Sequence, residues 1–134
     1  IKLGSLHPTR DYTFVTDTAA AMMLAADLNA VADDVLGEVI NVGCNFEISI
    51  ADIAKMIGEI IGVEMEIEAE DTRKRPRNSE VERLWADNTK AAKLLGWTPA
   101  LAGKEGFREG LIRTIDWFRE PANLKRYDPG RYTV

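Results

Sequence analysis

Pro8-Thr9-Arg10-Asp11-Tyr12-Thr13-Phe14-Val15-Thr16-Asp17 sets an extended segment directly against a helix start. Tyr12 to Val15 predicts a short extended lead-in, and Asp17 has the side chain to cap a helix running from Thr18 to Leu28. In that helix Ala21, Met22, Leu24, Ala25 and Leu28 recur at spacings that allow packing. Arg10 follows a proline-constrained turn. Its planar guanidinium fork suits phosphate oxygens, and its plainer role is an ion pair with Asp11 or Asp17.

Reading outward, Gly37 to Gly43 is bounded by glycines and rich in Val and Ile, which predicts a buried strand, the best in the chain. Ser49 with Asp52 resembles a capping box, and Ile50, Ile53, Ile57, Ile60 and Ile61 form a helical apolar stripe from about 50 to 61, stopped by Gly62. Glu64 to Ala69 alternates like a half-buried strand. Residues 71–80 read as a loop, the kind of segment that presents side chains to a ligand. Glu80 to Asp87 predicts a short strand or turn. A brief helix from about 88 to 95 ends at Gly96, and an amphipathic helix spans about 103–119 through Phe107, Leu111, Ile112, Ile115 and Phe118. The tail, with Pro121, Pro129 and Gly130, reads as an irregular arm. Ile1 to Gly4 looks like a strand already in progress that needs a partner. These readings give a small, helix-rich mixed α/β (α+β) unit with two or three strands, a single domain over residues 1–134, cut from a longer polypeptide.

The chain has 134 residues, 46% hydrophobic and 29% charged, an ordinary globular composition with no apolar run of membrane-spanning length. A formal net charge of −5 disfavours nucleic-acid binding, which calls for a basic surface. One Cys and one His exclude a disulfide framework and a Cys/His zinc cluster. This composition and the lack of a targeting signal suit the cytoplasm, with no membrane or metal partner.

Locally, the basic residues gather at Arg73, Lys74, Arg75 and Arg77. Arg73, Arg75 and Arg77 alternate, so an extended backbone would set all three on one side as a comb for a diphosphate; the plainer reading is a solvated loop. Asp87-Asn88-Thr89-Lys90-Ala91 mixes carboxylate, hydroxyl and amine, but Asp87 is placed to cap the following helix. Trp85, Trp97 and Trp117 read as core or anchoring residues, Cys44 as a small buried hydrophobe and His7 as a surface residue. Asn41 reads as a turn stabiliser.

The segments Pro8 to Asp17, Arg75-Pro76, Asp87 to Ala91 and Leu95-Gly96-Trp97-Thr98-Pro99, in this order, resemble the C-terminal substrate-binding part of the extended short-chain dehydrogenase/reductase family, among its sugar-nucleotide epimerases and 4,6-dehydratases. The resemblance implies that Arg10 contacts a substrate diphosphate and that Arg75 or Arg77 reaches the phosphates. The family's Arg-Pro-Gly-Asp stretch is here Arg75-Pro76-Arg77-Asn78-Ser79-Glu80, so the resemblance implies that Glu80 takes the acidic place, near a ribose hydroxyl or the nucleotide end of the pocket; its plainer role is a surface charge. It implies a structural clasp at Asp87 to Ala91. It also implies NAD or NADP held by an N-terminal Rossmann half, a homodimeric parent and a nucleotide-diphosphate sugar as partner. Ser79-Glu80-Val81-Glu82-Arg83 and Pro8 to Asp11 lean towards 4,6-dehydratases, lyases, with the 4-epimerases, isomerases, next. The chain carries no Gly-x-Gly-x-x-Gly or Gly-x-x-Gly-x-x-Gly run. Thr16 follows Tyr12 by four and Arg131 follows Tyr127 by four, so the family's Tyr-x-x-x-Lys pair is missing. No catalytic or cofactor-binding residue is therefore assigned, and the chain alone is expected to be inert. The rival classes are a stand-alone protein-interaction module and a regulatory module for a phosphorylated metabolite.

Overall fold

The computed structural model describes residues 1–27, 35–74 and 79–127. In chain order it contains β1 (Lys2–Leu3), β2 (Thr9–Asp11), α1 (Val15–Ala26), β3 (Glu47–Ser49), α2 (Ile50–Ile61), β4 (Glu68–Ala69), β5 (Arg83–Leu84), α3 (Thr89–Leu95), α4 (Gly103–Arg119) and α5 (Pro121–Leu124). The mixed α/β class follows: helices dominate, and the strands form two small sheets.

The strand in progress at the start of the chain finds its partner in β4, paired in parallel through Lys2 with Glu68 and Leu3 with Ala69. Only those two residues of the alternating Glu64–Ala69 stretch are strand. The second sheet has the order β3-β2-β5. β2 runs antiparallel to β3, with Arg10 opposite Ile48, and parallel to β5, with Arg10 opposite Leu84.

α2 is built as its sequence dictates. Ser49 Oγ accepts the Asp52 amide at 3.1 Å, and Gly62 closes the helix in the left-handed region at φ 74°. Ser49→Ala is expected to lower stability by about 1 kcal/mol, the usual cost of losing such a cap, as read by urea denaturation; no change would mean that the Asp52 amide is satisfied without it. α4 occupies the expected 103–119 span. α2, α4 and β3 meet in one apolar cluster, Ile48, Met56 and Phe107, with Phe46, Ile53, Ile60 and Leu111 against it. A second cluster, Ala21, Ala91 and Trp97 with Leu24, Ile40, Val42 and Leu95, joins α1 to α3.

Several expectations change. α1 starts at Val15 behind Phe14, three residues early, and Asp17 lies inside its first turn rather than at the cap. Its buried carboxylate accepts the Leu101 amide at 3.0 Å instead. Met22 is exposed, so the buried stripe of α1 is narrower than its apolar composition suggested; Leu28 lies outside the described residues. Gly37 to Gly43 is not a strand: Ile40 and Val42 pack against the Trp97 cluster while Val39 is 80% exposed, and no ladder partner lies beside the segment among the described residues. Trp97 is the buried tryptophan, whereas Trp85 and Trp117 are 55% and 41% exposed. The tail is not wholly irregular: Pro121 opens α5, and Trp117, Phe118 and Tyr127 stack edge-on where it folds back on α4. Pro129 and Gly130 lie outside the described residues. Among the described residues no helix is long and apolar enough to cross a membrane.

Candidate functional site

The middle strand β2 carries the candidate site. Neighbouring residues of a strand face opposite ways, and β2 uses this to separate Arg10 from Asp11. Arg10 Nη2 lies 3.3 Å from Glu80 Oε1, with the two side chains only 20% and 12% exposed, and Arg10 Nη1 donates to the Thr9 carbonyl at 2.7 Å. The expected partner, Asp11 or Asp17, is therefore replaced by a residue 70 positions away. The reason is geometric: Asp11 faces the other side, where its carboxylate accepts the Cys44 amide at 2.7 Å and the Ala86 amide at a longer 3.4 Å. Two of the four candidate binding residues, Arg10 and Glu80, are thus brought together in a partly buried pair. The other two, Arg75 and Arg77, lie outside the described residues.

The comb does not extend to Arg73. That residue closes a single 3-10 turn, Asp71–Arg73, and pairs with Glu70, while Lys74 meets Asp71 at 2.7 Å. A turn breaks the alternation that an extended backbone would have given. Asp71 is held below the usual carboxylate range by the Lys74 ammonium.

Asp11, read from the sequence only as a possible counter-ion for Arg10, is an organising residue. With Asn88, whose Nδ2 donates to the Gly43 carbonyl at 2.6 Å, it binds residues 43–44 to 86–88 behind β2. Gly43 is required there, because a Cβ would stand 2.5 Å from both Asp11 Oδ2 and Ala86 Cβ. Within the segment Asp87 to Ala91, Asn88 makes the tie to residue 43. Asp87 Oδ1 accepts the Thr89 amide at 2.9 Å, and the Thr89 hydroxyl and amide hold its pKa low, while Asn88 occupies the backbone cap position. Lys90 pairs with Glu38. These groups are spent on structure. Asn41 is exposed, and His7 pairs on the surface with Glu82 at 2.8 Å. Burial, followed by the nearby Asp11 carboxylate, pushes the Cys44 thiol up to about 12, so at neutral pH it is a small buried hydrophobe and no nucleophile.

On the Thr9 side of β2, Glu47 of β3 accepts Thr9 Oγ1 at 2.8 Å and Arg83 Nε of β5 at 2.7 Å. Arg83 holds the Glu47 carboxyl below its ordinary range, and Glu47 raises Arg83 in turn. An apolar cleft of about 310 Å³ opens beside Tyr12, Phe14, Ile53, Leu101, Phe107 and Leu111. It contains neither Arg10 nor Glu80, and no charged side chain lines it.

A dinucleotide needs glycines at a strand-to-helix turn so that its pyrophosphate meets backbone amides. The nearest glycine run, Gly103, Gly106 and Gly110, lies instead along α4. A Cβ on Gly106 would collide with the Leu101 backbone, and one on Gly110 would stand 3.2 Å from the Phe14 ring. Gly106 and Gly110 serve close packing, and Gly103, at φ 65°, turns the chain into α4, so this run is not the strand-to-helix turn that a dinucleotide needs.

A sequence model described as GDP-mannose 4,6 dehydratase matches residues 1–110. A putative UDP-glucose 4-epimerase of Methanocaldococcus jannaschii is 30% identical over 89% of this chain and 34% of its own length. The dTDP-D-glucose 4,6-dehydratase of Homo sapiens is 30% identical over 87% of this chain and 31% of its own. The crystal structure of UDP-glucuronic acid 4-epimerase from Bacillus cereus, in complex with UDP-glucuronic acid and NAD, superposes with a TM-score of 0.75 at 28% identity, over 89% of this chain and 35% of that one. The chain spans about a third of the length of the relatives it matches.

These likenesses overturn the leaning towards 4,6-dehydratases. Epimerases stand beside dehydratases among the relatives, so neither lyase nor isomerase alone describes the set. With residues 1–110 of the chain matched by the family sequence and the fold shared with solved members, the chain belongs to the GDP-mannose 4,6 dehydratase family, within the extended short-chain dehydrogenase/reductases whose C-terminal substrate-binding part it resembles.

Proposed function

We propose that this chain is the nucleotide-sugar recognition unit, a single domain over residues 1–134, of a longer NAD-dependent enzyme of this family, and that it is inert alone. The observation that carries the reading is the partly buried pair of Arg10, on β2, with Glu80, ahead of β5. Arg10 offers a fork of N–H donors to a diphosphate, Glu80 offers an acceptor to a hydroxyl beside it, and Arg75 or Arg77 adds the second cation. A solved relative bound to UDP-glucuronic acid and NAD supports a nucleoside diphosphate sugar as ligand and NAD as the cofactor of the intact enzyme. The Rossmann half that holds NAD is the chain's natural partner in this reading, and a cytoplasmic homodimer its setting.

Thermal unfolding at fixed ionic strength tests the proposal with UDP-glucose, UDP-glucuronic acid, NAD and sulfate. A ligand selective for the native state at a hundred times its Kd adds about 2.7 kcal/mol of stability. The expected result is a shift with a UDP-sugar that NAD and sulfate do not reproduce. An equal shift with sulfate, or none with any nucleotide sugar, would overturn recognition by this chain.

A further inference from the structure

β5 is two residues long, yet the segment leading into it carries Glu80. Its ladder to β2 consists of Thr9 opposite Arg83 and Arg10 opposite Leu84, reinforced by the Thr9 amide donating to the Glu82 carbonyl at 2.9 Å. So short a parallel pairing fixes little by itself. Beside it, a single carboxylate of β3 gathers donors from both strands. Glu47 Oε2 accepts Thr9 Oγ1 and Arg83 Nε, and Glu47 Oε1 lies 2.6 Å from Arg83 Nη2. Arg83 therefore meets Glu47 with both prongs of its fork, and the guanidinium is steadied from the side by the Trp85 ring, 4.9 Å from its centroid. One residue from each of the three strands is tied at one point.

We infer that Thr9, Glu47 and Arg83 are positioning residues, a clamp that fixes β5 against β2 and so holds Glu80 within reach of Arg10. An exposed ion pair adds little to global stability, and Arg83 is 58% exposed. The geometry of three donors on one carboxylate restricts where β5 can sit, and three residues upstream of Arg83 that restriction reaches Glu80. The consequence for affinity rests on the nucleotide reading above; the consequence for the strand does not.

The test is hydrogen exchange of the Thr9 amide in the full chain without ligand, followed by titration with UDP-glucose. Arg83→Lys keeps the charge and loses the fork, and Glu47→Gln loses the charge. Each is expected to speed Thr9 exchange about tenfold by local opening while α2 and α4 amides keep their rates. Arg113→Lys, at the exposed Arg113–Glu109 pair of α4, is expected to leave Thr9 unchanged. Arg83→Lys is further expected to weaken UDP-glucose binding about fivefold, and to have no effect on it in a Glu80→Gln background, because it acts through Glu80. Unchanged Thr9 exchange in both clamp variants overturns the clamp. Faster exchange with undiminished affinity, or an equal loss of affinity in the Glu80→Gln background, overturns its link to Glu80. A wild-type chain that binds no UDP-glucose fails the nucleotide reading instead, and the exchange rates alone then decide the clamp.

Discussion

Trp97→Ala is expected to unfold roughly 10 to 20 °C below the unsubstituted chain, a loss of about 3–5 kcal/mol for truncating a buried tryptophan. Trp97 is 3% exposed and sits between α1 and α3 with Ala21 and Ala91. Gly96 makes this possible: at φ 63° it reverses the chain at the end of α3, and the Trp97 amide then donates back to the Ala91 carbonyl at 3.3 Å, a pattern common at glycine-terminated helices. The indole Nε1 reaches the Asp17 carbonyl at 3.1 Å in the first turn of α1. Truncation removes both the packing volume and that donor, and the small alanines around the site cannot fill the space. The loss is a large part of the total stability of such a domain. Trp117→Ala, at a 41% exposed position, is the control. Equal midpoint shifts for the two variants in thermal denaturation would refute the anchoring role of Trp97.

The difference between these tryptophans was invisible in the sequence, and the reason applies to the rest of the fold. α2 and α4 were legible because their signals are local: Ser49, Asp52 and Gly62 for the one, the spacing of Phe107 and Leu111 for the other. Strand pairing is not local. The run through Val39, Ile40 and Val42 has the β-branched character of a strand, but propensity reports only a fit to a half-buried surface. Ile40 and Val42 have that surface against Trp97; a ladder also needs a neighbouring strand, which no local pattern specifies. Asp17 looked like a cap because caps are local, while its carboxylate serves the Leu101 amide 84 residues on.

The candidate site divides the same way. Arg10 and Glu80 were readable one by one, but their pairing depends on where β5 docks. Asp11 was read only as a possible counter-ion for its neighbour. The alternation of side chains along a strand was the available signal that it faces the other way, towards the Cys44 amide. The clamp through Glu47 lay beyond reach, since it joins three strands whose order the sequence does not state.

Arg10→Ala is expected to raise the Kd for UDP-glucose by about 30-fold or more, equivalent to roughly 2 kcal/mol or more, the range for deleting one member of a shielded charged contact. Removing the guanidinium takes away the donors proposed for the diphosphate and strands the Glu80 carboxylate, 12% exposed, with a negative charge facing an anionic ligand. Because an uncompensated, mostly buried charge is itself destabilising, weaker binding by this variant alone does not separate recognition from folding. Arg10→Ala combined with Glu80→Gln does. Neutralising the stranded carboxylate should restore much of the stability while affinity stays low, since the phosphate donors are still missing. Arg10→Lys should fall between, retaining charge but not the two-pronged geometry. Calorimetric titration of the three variants, with their unfolding midpoints measured beside it, reads both quantities. Recovered stability with an affinity within threefold of the unsubstituted chain would move the diphosphate off Arg10, whereas lasting loss of affinity in a restored fold assigns the guanidinium to the ligand.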